Sequence, residues 1–179
     1  MTTAVSTSVL RDTFPPSNGA FKAETRQHMI DVITTMANLF FKPVLMVNVY
    51  PYYYHAAGLI QQDVATFSTD KAFYWDGDIG YWNMLDALFD AFNYAVLKEK
   101  LYDATQLNLV VGASGWPSAG NGNFTTPALA VTYNQNLMRR LAKRNGTPAR
   151  SEYATTGFVY GLFNENVGWI FQQVTLQGQ

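Results

Sequence analysis

No cysteine occurs anywhere in the 179 residues. Disulfide bridges and thiolate metal sites are therefore excluded. Charge is also scarce: 14% of residues are charged, and they cancel to a formal −1. That balance offers little attraction to a nucleic-acid backbone or an anionic membrane, so neither is an expected partner. His28 and His55 are the two histidines, and two lone histidines far apart do not make a metal site. No stretch of 18 apolar residues exists, so no membrane-spanning helix is expected. Met1 runs straight into Thr2-Thr3-Ala4-Val5-Ser6-Thr7, a strand-like segment without the basic start of a secretory leader, and none is expected in this chain. No cofactor motif stands out.

Apolar side chains are plentiful. They make up 48% of the chain, and 15% of residues are aromatic, with 11 Tyr, 12 Phe and 4 Trp. The composition is globular, with enough length for one domain with its own core. Aromatics on this scale either fill a core or offer a stacking surface to a flat ligand.

The order of elements reads β-α-β-α-β-α-β. Strands are expected at about 4–10, 44–50, 107–112 and 157–163. Met29, Val32, Ile33, Met36, Leu39 and Phe40 recur at helical spacing between Lys22 and Lys42, and Pro43 ends the run. A second amphipathic helix is expected over 82–101, with Met84, Leu85, Leu88, Phe89, Phe92 and Val96 on one side. A third runs from Pro127 to Lys143, with Asn145-Gly146 as a left-handed cap. Arg139, Arg140, Lys143 and Arg144 cluster at its end, where cations complement the helix dipole. Val44 to Tyr50 is a continuous apolar run, the pattern of a strand buried on both faces. The connection from Pro51 to Gly80 is long, as functional connections often are. Strands alternating with helices imply a parallel sheet with right-handed crossovers. Asp76 and Asp78 flank Gly77 in a turn, which suits turn chemistry better than calcium.

Five segments then resemble one family. They are VSTSVL and FPPSNGAF within 5–21, VLMVNVYPYYYH at 44–55, GYWNMLDALFDA at 80–91, VVGASGWPSAG with TYNQNL within 110–137, and GFVYGLFNEN at 157–166. Together they are similar to the second half of plant endo-1,3-β-glucanases, glycoside hydrolase family 17. The resemblance implies half of a (β/α)8 barrel, with these strands as its fifth to eighth and the first four outside this chain. A full barrel needs roughly 250 residues. Chemistry in such barrels sits at the C-terminal strand ends, which points to Thr7, Ser8, Asn48, Tyr50, Tyr52, Gly112 to Trp116 and Glu165.

The resemblance also implies a defect. Retaining glycosidases use two carboxyl groups about 5–5.5 Å apart. The family's acid falls on its fourth strand, outside this chain. Its nucleophile falls in a Glu-Ser/Thr-Gly-Trp-Pro-Ser motif, which here reads Ala113-Ser114-Gly115-Trp116-Pro117-Ser118. The nucleophile position is thus Ala113, and no intact catalytic set is expected. Where the family often keeps a lysine three residues after the glutamate of its FNEN motif, this chain has Gly168.

The expected ligand contacts are Asn48, Tyr50, Tyr52, Trp116 and Glu165, each with a plain structural alternative. The tyrosines could fill the core, Trp116 could pack the barrel top, Asn48 could cap its strand, and Glu165 could bond neighbouring backbone. His55 is a weaker candidate, and Trp75 and Trp82 would extend the cleft if exposed. The function expected is an impaired β-1,3-glucanase-like protein that binds β-1,3-glucan in an aromatic cleft. The alternatives are a fragment or nucleophile knockout of an active glucanase, and a structural or defence-associated protein without sugar binding. Half a barrel leaves sheet edges open, so a homodimer completing the sheet is expected. The resemblance implies an extracellular or cell-wall location.

Overall fold

The computed structural model describes residues 2–39, 43–100 and 107–159. Its centre is a four-stranded parallel sheet. Strand β1 is Thr3–Ser6, helix α1 Ala23–Leu39, strand β2 Val44–Asn48, helix α2 Met84–Lys98, strand β3 Asn108–Ser114, helix α3 Pro127–Ala142 and strand β4 Gly157–Val159. The strands lie side by side in chain order, each pair parallel. This is the alternation of a half barrel.

The helix ends follow from local chemistry. The Asn83 side chain accepts the Asp86 backbone N–H at 2.8 Å and starts α2. Thr126 does the same for Leu129 at 3.2 Å, with Pro127 in the first turn of α3, where a missing N–H costs nothing. At the end of α3 the left-handed residue is Arg144, at φ 52°. The expected Asn145-Gly146 cap is therefore displaced by one position, and the Gly146 N–H bonds the Ser151 carbonyl at 3.3 Å.

The core lies between the sheet and its helices. Leu45, Val47, Leu109 and Val111 point to it from β2 and β3, and meet Ile33, Leu85, Leu88, Phe92 and Leu137. The opposite face behaves differently. Val44, Met46 and Asn48 alternate with the core residues and are only half-buried. The apolar run at 44–50 is thus covered on one face, contrary to the two-sided burial its composition suggests. Its other face is the one a barrel would turn inward.

Helix α2 also departs from its expected one-sided pattern. Its polar positions Asp86, Asp90 and Asn93 are as buried as its apolar ones. The segment 147–150 and the hairpin 74–81 close over that side. Asp86 receives two hydrogen bonds from Arg140, both at 3.0 Å. Asp90 accepts the Thr147 hydroxyl, the Ala149 N–H at 2.9 Å and the Tyr81 hydroxyl at 3.1 Å. Gly19 packs against the same helix. A Cβ there would lie 1.9 Å from the Ala91 carbonyl oxygen, so only glycine permits this approach.

Burial pushes the Asp90 carboxyl up to about 6, against the opposing pull of the hydrogen bonds from Thr147 and Ala149. A carboxyl raised in the folded state binds its proton more tightly there than in the unfolded chain. Its contribution is then most favourable below pH 4, fades as pH rises from 4 to 6, and is level above that. Two pH units of displacement correspond to about 3 kcal/mol. Asn at this position can keep the acceptor for Ala149 and Tyr81 while offering Thr147 a donor. The stability difference between the parent chain and Asp90→Asn should therefore shift by about 2 kcal/mol between pH 4 and pH 7 in favour of Asn at the higher pH. Urea unfolding at both pH values measures it, and a difference that does not move with pH would refute the titration of Asp90.

Candidate functional site

The connections after β1, β2 and β3 meet at the C-terminal end of the sheet. Asn48 is the last residue of β2 and is half-buried. It pairs in register with Ser6 on one side and Ala113 on the other. Registered neighbours in a sheet share a face, so Ser6, Asn48 and Ala113 form one row across its end. The β2–β3 register slips by one residue between Val47 and Asn48. The extra residue is Gly112. A Cβ on it would lie 2.6 Å from the Met46 Cβ and 2.9 Å from the Asn48 Oδ1. Glycine lets the bulge form without displacing either side chain.

Ala113 carries only a methyl group, 9% exposed. Its carbonyl accepts the Val49 N–H at 3.0 Å. Next to it, Ser114 is fully buried and shares its hydroxyl between the Val49 carbonyl, at 2.6 Å, and the Tyr133 hydroxyl. Burial holds the Tyr133 phenol well above its ordinary range. Both groups are neutral and committed to each other. The strand-end segments 6–8, 48–50 and 112–116 contain no Asp or Glu, so this row can hydrogen-bond but cannot exchange a carboxyl proton or form an ester. Thr7 and Ser8 sit in a single 3-10 turn after β1, Thr7 half-buried and Ser8 exposed. Glu165 lies outside the described residues.

Above the row stands an aromatic wall. Pro51 opens a short helix, Pro51–Ala56, with Tyr50 immediately before it. The Tyr53 ring is 59% exposed and meets Tyr50 edge-on at 5.9 Å and Tyr52 at 5.4 Å. Tyr52 in turn meets Trp116 at 5.3 Å. Trp116 is buried, its indole N–H donates to the Phe124 carbonyl at 2.9 Å, and its ring lies 5.4 Å from Tyr133. Its aromatic neighbours make it the support of the wall, with its indole N–H already spent. His55 is similarly occupied, with Nδ1 3.1 Å from the Ile60 carbonyl and its ring between Trp116 and Phe124. His28 is exposed on α1. Tyr50 and Tyr52 are half-buried. The exposed aromatic surface is therefore mostly Tyr53, which tyrosine alternation alone did not single out.

Two further contributors carried no signal of their own in the sequence. Asn121 donates to the Tyr52 hydroxyl at 3.1 Å and ties the Gly/Asn-rich loop to the wall. Phe124 supplies both the carbonyl for Trp116 and a ring for His55. Tyr133 was at least marked by its TYNQNL motif. Asp76 accepts the Ser17 N–H at 2.7 Å and its hydroxyl at 2.8 Å. Among the described residues no cluster of His, Cys, Asp and Glu could hold a metal ion, and no helix is long and apolar enough to cross a membrane.

With this geometry in hand, known proteins offer a comparison. The profile described as "Glycosyl hydrolases family 17" matches residues 1–168. A probable glucan endo-1,3-beta-glucosidase BG4 of Arabidopsis thaliana is 42% identical over 168 residues, covering 93% of this chain and 47% of that protein. Lichenase-2 of Hordeum vulgare is 37% identical over 168 residues, covering 93% of this chain and 51% of the relative. Among solved structures, CJP38, a beta-1,3-glucanase and allergen of Cryptomeria japonica pollen, superposes with a TM-score of 0.83 at 32% identity, over 94% of this chain and 51% of its own. A structure from a study of two plant beta-glucan endohydrolases with distinct substrate specificities gives 0.80 at 36% identity, covering 92% of this chain and 52% of that one. The chain spans about half the length of the curated relatives it matches.

Proposed function

The chain belongs to glycosyl hydrolase family 17, and from that footing we propose that it binds β-1,3-glucan without cleaving it. The observation that carries the reading is Ala113: a methyl group in register with Asn48, at the strand end where the family resemblance expects a nucleophilic carboxylate. Glucan would lie across the row Ser6, Asn48 and Ala113. Asn48 and, in the expected set, Glu165 would bond hydroxyls. The C–H faces of the sugar rings would rest on Tyr53, with Tyr50, Tyr52 and Trp116 holding that ring in place. This reading puts the protein where glucan is, in the cell wall or outside the cell.

Calorimetric titration with linear β-1,3-gluco-oligosaccharides tests it. Saturable heat is expected, and Tyr53→Ala should weaken it by roughly tenfold, the scale of one lost stacking contact. No heat in the parent chain would end the binding reading and leave a structural remnant.

One observation supports pairing of two copies. Thr3, Ala4 and Ser6 are exposed along β1, which has a strand neighbour on one side only among the described residues. An open strand edge is a template for another chain. Sedimentation at micromolar concentration should show the dimer, and a strictly monomeric species would count decisively against it.

A further inference from the structure

A second aromatic feature lies outside the row and its wall. The connection between β2 and α2 ends in an antiparallel hairpin, Tyr74–Asp76 with Ile79–Tyr81, turning through Gly77 and Asp78. Its two faces differ sharply. One face carries Tyr74, Asp76 and Tyr81 and anchors the hairpin: Tyr81 is fully buried, Asp76 holds Ser17, and Tyr74 meets Phe14 edge-on at 5.1 Å. The other face carries Trp75, Gly80 and, just past the strand, Trp82. Trp75 is 60% exposed and Trp82 46%. Their rings lie 6.1 Å apart at 65°, and both reach over Gly80. A Cβ on Gly80 would come within 2.9 Å of the Trp82 ring and 3.1 Å of the Trp75 ring.

We infer that Trp75 and Trp82 form a carbohydrate platform, a secondary site that takes pyranose rings of a β-glucan chain running beyond the cleft. It rests on the reading that this chain holds glucan. Four observations lead there. The anchoring contacts of the hairpin come from its other face, so the exposed indole surface is surplus to packing. Two flat apolar rings set at an angle make a corner suited to the C–H face of one sugar ring. The flanking exposed groups are Lys71, Gly77 and Asp78, which bond hydroxyls and leave the apolar surface confined to two side chains. A stable protein interface needs roughly 800 Å² per partner, far more than two indoles offer. Finally, the hairpin is continuous with the cleft. Phe14 touches Phe73 and Tyr74, and the Tyr54 hydroxyl is paired with Thr13 beside it. Ser17 and Tyr54 both lie in connections at the C-terminal end of the sheet.

The experiment compares binding to insoluble β-1,3-glucan with titration by a β-1,3-linked trisaccharide, a ligand of three rings only. Three variants are used: Trp75→Ala with Trp82→Ala, Trp75→Leu with Trp82→Leu, and Tyr53→Ala. The leucine pair keeps apolar cover over Gly80 without a flat ring, so it controls for damage to the hairpin. Both tryptophan variants should bind the polymer at least roughly tenfold more weakly and the trisaccharide as the parent does. Tyr53→Ala should weaken both. Unchanged polymer binding in the tryptophan variants would overturn the platform and leave the cleft reading standing. Leucine restoring polymer binding would overturn stacking as its basis. A changed sedimentation coefficient in the tryptophan variants would make the pair a protein contact and overturn it equally. Should the parent bind neither ligand, cleft and platform fall together.

Discussion

Incubated with linear β-1,3-gluco-oligosaccharides, the chain should release no new reducing ends above the buffer blank, an expected rate at least about 10⁴-fold below that of an intact glycosidase. The expectation follows from position 113 and from what surrounds the strand end. A retaining hydrolysis forms a bond from a carboxylate oxygen to the anomeric carbon as the glycosidic bond breaks, then hydrolyses that ester. Ala113 has no oxygen and no lone pair. Ser114 cannot replace it, because its hydroxyl is held by the Val49 carbonyl and Tyr133 behind the strand. Water could attack directly only with a carboxylate base, and 6–8, 48–50 and 112–116 contain none. Each tenfold loss of rate is about 1.4 kcal/mol of barrier, and removing one member of a catalytic unit commonly costs most of what the unit supplies.

Ala113→Glu sharpens the test. On unactivated glucan this variant should also stay silent, since the family resemblance sets the proton donor on a strand outside these residues. On an aryl β-glucoside, whose leaving group needs no proton, Ala113→Glu should release the aryl alcohol faster than the parent. Cleavage of glucan by the parent chain would overturn the argument and turn attention to Glu165 and to Asp63, Asp70 and Asp78, the exposed carboxylates of the β2–α2 connection.

The half-barrel order was legible because β2, β3 and β4 are short apolar runs set off by turn residues, β1 is a short β-prone segment, and each helix keeps its three-four spacing. Two members of the row at the sheet end were legible through motif residues: Asn48 follows a β-rich run, and Ala113 opens the Ser-Gly-Trp-Pro turn; Ser6 was not, because β1 stops before the expected Thr7 and Ser8. What stayed hidden depends on contacts between distant segments. Trp116 has the same surroundings in sequence whether it faces a ligand or packs inward. Only the arrival of Phe124, His55 and Tyr133 around it shows that it supports the wall. The tyrosine run was ambiguous for a related reason. Alternation assumes a strand, but Pro51 starts a helical turn there, so exposure follows helical spacing and leaves Tyr53 outermost. The hairpin at 74–81 was readable only as a turn, and its two-faced character needs the pairing Trp75 with Gly80.

Arg140 shows the same limit and gives the largest expected stability effect. Its place in the last turn of α3 suggests a surface cation near a helix dipole, worth a few tenths of a kcal/mol. The structure instead half-buries it. Its guanidinium donates to both Asp86 carboxylate oxygens at 3.0 Å and to the carbonyls of Asn145 at 3.3 Å and Gly146 at 2.8 Å. Side-chain exposure is 12% for Arg140 and 6% for Asp86. The pair joins α3 to α2 and orders the turn that leads to Thr147, whose hydroxyl serves Asp90. A buried pair gains little net energy when formed, because desolvation offsets attraction, but removing one partner strands the other. Arg140→Ala leaves the Asp86 charge with the Asn83 amide, at 2.8 Å, as its remaining side-chain donor and leaves two carbonyls short of a bond. The expected loss is about 3–5 kcal/mol, a large share of the stability of a domain this size. Arg140→Lys should recover only part, since an ammonium cannot reach both carboxylate oxygens and both carbonyls with the guanidinium's fork. Combining Arg140→Leu with Asp86→Leu should cost less than Arg140→Ala alone, because no charge is left behind. Denaturant unfolding of the four proteins decides the matter. Equal losses for the single alanine variant and the paired leucine variant would show that packing of the stem, not the stranded carboxylate, sets the cost.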